Sequence, residues 1–538
     1  MNYSFDALRY RYPSERHVVY GKNGMVCSAQ PLASQAGIEI LKKGGNAFDA
    51  VLAAAACLNV VEPMSDTLGG DAFALVWHKG QLYGLNASGP APALLSREAL
   101  LDAGHQVMPR KNWGAVTVPG MVSGWAELNQ RFGRLSLKEI LAPAVRLARE
   151  GFPVQPTVSA LFAACAPVLK STVEPRFFEI LEKLVLPNGT TPKAGELIRY
   201  PEMADTLEEI GETGGESFYR GRLAGKMAAF SEETGGYLRR DDLEAYRAEW
   251  VTPISTNYRG YDIWEIPPNG HGLVVLMALN LLKEMDLSGG HDDPAVIHRQ
   301  LEAMKLAFTD GKRYITDPRY MKAEVERLLS EEYAAERRKL IGETACLPQP
   351  GNPFSGNTVY LNAADGEGNM ISFIQSCYEN FGSGVAVPGT GIVFNNRAWN
   401  FTMDPEMENC VAPGKKPYHT IIPGFITRES EAVGPFGVMG GFMQPQGHVQ
   451  VICNLADFGM NPQEALDAPR WMWTGEKKIT LEHGFGQSTA WALSRRGHEI
   501  SVPANSLTMG RGQIILRNDA GVLCGATEPR TDGTVAVC

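Results

Sequence analysis

A chain of 538 residues, 44% hydrophobic and 20% charged, can bury a sizeable core as one large domain or two to three ordinary ones. Its formal charge of −10 excludes a general nucleic-acid binder, which needs a basic face. The first twelve residues lack the uninterrupted apolar run of a signal peptide, and the most apolar segment, 50–61, is too short to span a bilayer.

Helical and strand patterns alternate along the chain, so the class is mixed α and β. Ser34 stands where it would cap a first helix through Leu41, ended by Gly44-Gly45. Asn46 or Asp49 opens a small-residue helix that stops at Glu62-Pro63, and Gly69-Gly70 leads into a strand over 72–77. Residues 267–272 form a tight loop before an apolar helix over 273–282. Ile297, Leu301, Met304 and Phe308 mark one face of an amphipathic helix. Residues 344–357 are rich in proline and glycine and read as an exposed loop. Beyond it the texture changes to hairpins: a strand over 359–364, a turn over 365–369, and a returning strand over 370–376. The nine cysteines are odd in number and form no CxxC pair, which indicates reduced thiols, no metal site and a cytoplasmic location.

If the five-residue turn closes a regular antiparallel pair, Ala364 faces Met370, and stepping back along both strands sets Thr358 opposite Ser376. Directly opposed residues point to one side, their Cβ atoms about 4.5–5.5 Å apart. By itself this is either a hydrogen-bonded sheet pair or chemistry.

The order of motifs decides between these. Residues 33–49, Leu68-Gly69-Gly70, 118–124, 141–151, Asn357-Thr358, 365–369, 381–384, 391–396, Gly440-Gly441, 465–470 and 528–533 together resemble the gamma-glutamyltransferase family, a branch of the N-terminal-nucleophile hydrolases. The resemblance implies an α+β fold, a four-layer αββα sandwich. It also implies a precursor cut between Asn357 and Thr358 into fragments 1–357 and 358–538, which stay together as one fold, alone or as a dimer of that pair. Thr358 would then be the nucleophile, Ser376 would orient its hydroxyl where the family carries a second threonine, and Gly440 and Gly441 would supply oxyanion N–H groups.

The chemistry is coherent. A threonine hydroxyl needs a base, and a freed α-amino group, with a pKa of roughly 7.7–8.0, accepts its proton near neutral pH. Cleavage therefore creates the base and the enzyme together, and no cofactor is needed.

The pocket departs from the transferases. Ser88 stands near their carboxylate-binding arginine, Asn400 replaces their ammonium-binding acid, His419 and Thr420 replace their paired serines, and Tyr378 replaces an asparagine. These changes argue against a γ-glutamyl amino acid and for a small anionic amide such as oxamate, with water as acceptor. Arg397 is either a carboxylate clamp or a surface arginine. His419 either donates to substrate or caps a turn. Gln444 and His448 either line the pocket or belong to a structural turn. Open alternatives are a γ-glutamyl or glutathione hydrolase or transferase with a rearranged pocket, a cephalosporin-acylase-like enzyme, and a non-catalytic ligand-binding relative. No HExxH, GxSxG or phosphate-loop motif occurs.

Overall fold

A computed structural model describes residues 16–347 and 358–538. Two seven-stranded, antiparallel-paired sheets form its centre. One sheet runs Thr534–Val537, Gly24–Ser28, Val359–Asp365, Met370–Ser376, Asp71–His78, Gln81–Ala87 and Glu249–Val251. The other runs Val19–Gly21, Leu523–Thr527, Arg511–Arg517, Glu431–Met439, Gly424–Arg428, Tyr261–Glu265 and Ile254–Tyr258.

Two large apolar cores follow from strand alternation. Leu361, Phe373 and Ala72 turn outward onto Pro31–Lys42 and Ala47–Val61. Tyr360, Ile374 and Phe73 turn inward and pack with Phe425, Phe436 and Ile514 of the facing sheet. That second core also takes the helices Gly272–Leu282, Pro294–Tyr314 and Met443–Ala456. The result is the expected αββα sandwich.

The helix ends show why local reading succeeds or fails. Asn46 caps Ala47–Val61 in a reciprocal box with Asp49, so the two candidate starts are two halves of one cap. Ser34 does not cap its helix, which begins earlier, at Pro31, with Gln30 accepting from Leu32 N–H. Pro31 suits the first helical position because its missing N–H would be unpartnered there anyway. Ser34 is instead buried, its Oγ 2.7 Å from Ser28 Oγ.

The hairpin register is as expected: Ala364 pairs with Met370 and Val359 with Gln375. Asp365 holds the turn, accepting from the N–H groups of Glu367 and Asn369. All nine cysteines are free thiols. Among the described residues, no helix is long and apolar enough to cross a membrane. The stretch 348–357 of the proline- and glycine-rich loop, with Asn357, lies outside the described residues.

Candidate active site

Thr358 immediately precedes Val359–Asp365, and its side chain faces the gap between the sheets, as Tyr360 does two residues on. Its hydroxyl donates to Ser376 Oγ at 3.4 Å. Gln444 Nε2 donates to Thr358 Oγ1 at 3.3 Å, while Gln444 Oε1 accepts from Ile422 N–H at 3.0 Å. Ser376 Oγ also accepts from Tyr378 N–H at 2.7 Å. The Thr358, Ser376 and Gln444 side chains are all buried.

The register continues one strand further. Ser376 pairs with Asp71, so Thr358, Ser376 and Asp71 form one row across three strands, on the face toward the second sheet. Asp71 was not among the sequence candidates. Its Oδ1 accepts from Gly89 N–H at 3.2 Å, and its Oδ2 lies 3.0 Å from His419 Nε2 and 3.7 Å from Arg397 Nε. Burial pushes the carboxyl up to about 7, against the lowering pull of Arg397.

Arg397 begins the short turn Arg397–Asn400 and is fully buried, not on the surface. Its Nη1 donates to Thr420 Oγ1 at 2.7 Å, and its guanidinium carbon lies 4.3 Å from the centre of the Tyr378 ring. Its Nε and Nη2 have no hydrogen-bond partner among the described residues. Burial brings it down to about 10, which still leaves it charged at neutral pH.

Burial holds His419 well below the usual histidine range, so it is neutral. Its Nε2–H points at Asp71, and its Nδ1 accepts from Ile421 N–H at 3.3 Å. Both ring nitrogens are occupied, and His419 therefore acts on Asp71. His448, one helical turn beyond Gln444, has its Nδ1 2.7 Å from Glu265 Oε1. It is buried beside Phe436 and forms part of the inter-sheet core. Asn400 is only partly buried, and its carbonyl accepts from Asn409.

Gly440 and Gly441 follow Glu431–Met439 with φ of 134° and 59°, a region that favours glycine. Tyr360 packs directly on Gly437, where an added Cβ would lie 2.5 Å from its ring. Stepping from that contact back to Thr358 and forward to Gly440 reaches the same end of the sandwich.

Elsewhere, His298, Glu302 and His498 bring three ligand-type atoms together. Glu302 Oε1 already pairs with Lys305 at 2.7 Å, and His298 with His498 at 2.9 Å, so internal bonds account for this cluster. Surface hollows of about 420 Å³ beside Arg110 and Trp113, and about 610 Å³ beside Tyr200 and Met203, hold none of the row. The hydroxyls and the unpaired guanidinium N–H groups are the better guide to chemistry.

Such a sandwich is that of an amide-bond hydrolase of the N-terminal-nucleophile class. Residues 33–538 match the model of the family described as gamma-glutamyltranspeptidase, and the chain belongs to that family. It is 36% identical over 527 residues to the glutathione hydrolase-like YwrD proenzyme of Bacillus subtilis, covering 96% of this chain and 98% of that one. It is 35% identical over 527 residues to the oxamate amidohydrolase proenzyme of Klebsiella pneumoniae, with the same coverage of 96% and 98%. The crystal structure of cephalosporin acylase from Bacillus halodurans matches with a TM-score of 0.96 at 54% identity, covering 100% of this chain and 99% of that one.

Proposed function

We propose that this chain is an autoprocessing hydrolase whose nucleophile is Thr358 and whose substrate is a small amide bearing a carboxylate on its acyl part, oxamate being the simplest. The observation that carries this reading is the pairing of two features in one buried cluster of side chains. A strand-head hydroxyl lies in contact with Ser376 and Gln444, and a nearby guanidinium keeps two N–H groups unpaired.

In the precursor, Thr358 Oγ attacks the Asn357 carbonyl carbon, and the Thr358 nitrogen leaves as a free amine. Water then hydrolyses the ester and releases the Asn357 carboxylate. In the mature enzyme that amine takes the hydroxyl proton as Oγ attacks the substrate amide. Gly440 and Gly441 N–H groups stabilise the oxyanion, the Thr358 amine passes the proton to the substrate nitrogen, which departs as ammonia from oxamate, and water cleaves the acyl-enzyme. Arg397 holds the carboxylate through Nε and Nη2.

Edman sequencing of the smaller fragment tests the nucleophile. It should begin Thr-Val-Tyr-Leu-Asn, and Thr358→Ala should remain a single band on a denaturing gel. Any other start overturns the mechanism. Oxamate against glutathione on processed enzyme tests the substrate.

One observation favours a second reading, a γ-glutamyl hydrolase. Asp71 is an acid in the same pocket, and so a counter-ion for an ammonium that Asn400 cannot provide. A preference for glutathione in that assay would select it.

A further inference from the structure

We propose that Asp71 determines how tightly Arg397 holds an anionic substrate, taking up a proton as the substrate carboxylate arrives. The inference rests on the carboxylate reading above and adds a residue and a proton to it.

The geometry forces the question. Arg397 is fully buried and its nearest carboxylate is Asp71, with Nε 3.7 Å from Oδ2. That separation is too long for a hydrogen bond, which is why Nε and Nη2 remain unpartnered. An incoming carboxylate that takes these two N–H groups must therefore sit beside Asp71. Two carboxylates sharing one buried guanidinium disfavour each other's charged forms.

The groups around Asp71 leave it as the one that yields. Arg397 and the more distant Lys416 favour its ionised form, as do the N–H groups of Gly89 and Gly120. His419 faces it as a neutral donor, so it adds a hydrogen bond and no charge. Ser376 stands beside it on the neighbouring strand. Two strands away, the Thr358 α-amino group joins the row once cleavage has occurred. Burial has already brought Asp71 up to about 7, so near neutral pH a small further push protonates it. One proton from solvent converts the carboxylate to a carboxylic acid. The site then holds one guanidinium and one substrate carboxylate, with the Asp71 O–H free to donate to the latter.

The test compares oxamate with oxamide, which replaces the carboxylate by a neutral amide of the same shape. KM for each, or Kd by calorimetry where turnover is slow, is measured from pH 6 to pH 9. Titration of the Thr358 amine acts on both compounds and cancels in the ratio. In the wild type the oxamate-to-oxamide ratio should rise about tenfold per pH unit once Asp71 is ionised. In D71N it should stay low and flat. A flat wild-type ratio overturns the proposal without recourse to any variant, whether or not D71N folds. R397M separates the two levels of inference. If it leaves oxamate binding unchanged, the carboxylate reading itself fails. If it weakens oxamate binding while the wild-type ratio is flat, only the role of Asp71 fails.

Discussion

Thr358 Oγ1 lies 3.4 Å from Ser376 Oγ, and the serine oxygen is itself fixed by the Tyr378 N–H at 2.7 Å. Tyr378 makes that contact from a left-handed backbone, φ 81°, which turns the chain sharply just after the strand. The proposed nucleophile is therefore aimed by a neighbour whose own lone pairs are positioned by the fold. Ser376→Ala should lower kcat about 100-fold with little change in KM, because it misdirects the hydroxyl without touching the pocket. Ser376→Thr should restore most of the rate. Steady-state kinetics on processed protein would check both, and an unchanged kcat in the alanine variant would remove Ser376 from the machinery.

Gln444 contacts two groups at once, donating to Thr358 Oγ1 and accepting from Ile422 N–H. Gln444→Leu should therefore lose activity and also about 1–3 kcal/mol of stability, since a buried N–H is left without an acceptor. Gln444→Glu retains the acceptor and removes the donor. It should unfold close to the wild type yet turn over substrate much more slowly. Urea denaturation beside kcat would separate the two effects, and wild-type activity in Gln444→Glu would show that the Thr358 contact is incidental.

The glycine pair admits a sharper test than deletion. Gly441 has φ 59°, so Gly441→Ala strains the backbone at the proposed oxyanion N–H. If that N–H serves catalysis, kcat should fall about 100- to 1000-fold while substrate Kd moves little. A loss in Kd alone would place the glycines in substrate entry instead.

Thr358 and Ser376 were legible because a hairpin is a local object. Once the 365–369 turn is recognised, register follows by stepping along two adjacent strands, and Ala364 opposite Met370 confirms it. Asp71 was not legible, although it occupies the next place in the same row. Its strand precedes that hairpin by almost three hundred residues, and its other partners, Arg397 and His419, stand on separate loops. His419 was placed near the site by motif order, but its ring donates to Asp71, a role set by that distant strand. Arg397 reads on the sequence as either a carboxylate clamp or a surface arginine, and only three-dimensional packing buries it. The Ser34 cap failed for a local reason, a competing proline start.

His448, like Gln444, follows the glycine pair and reads on the sequence as either pocket-lining or part of a structural turn, yet one helical turn beyond Gln444 it reaches Glu265 on the second sheet. Burial holds His448 down to about 3 and keeps Glu265 well above the usual carboxylate range. Both partners are thus neutral, and the Glu265 carboxylic acid donates to Nδ1. A glutamine amide N–H can make the same bond, so Glu265→Gln should fold as the wild type does. The two should differ in their response to pH. Folded Glu265 keeps its proton where the unfolded chain has lost it, so wild-type stability falls as pH rises above the ordinary glutamate value. Glutamine has no such loss. The stability of Glu265→Gln relative to the wild type should therefore grow from pH 5 to pH 8, by up to about 1.4 kcal/mol per pH unit until the folded carboxyl ionises. Denaturant melts at the two pH values measure this directly. No change in the difference between the two pH values would mean that Glu265 has lost its proton in the fold while His448 stays neutral.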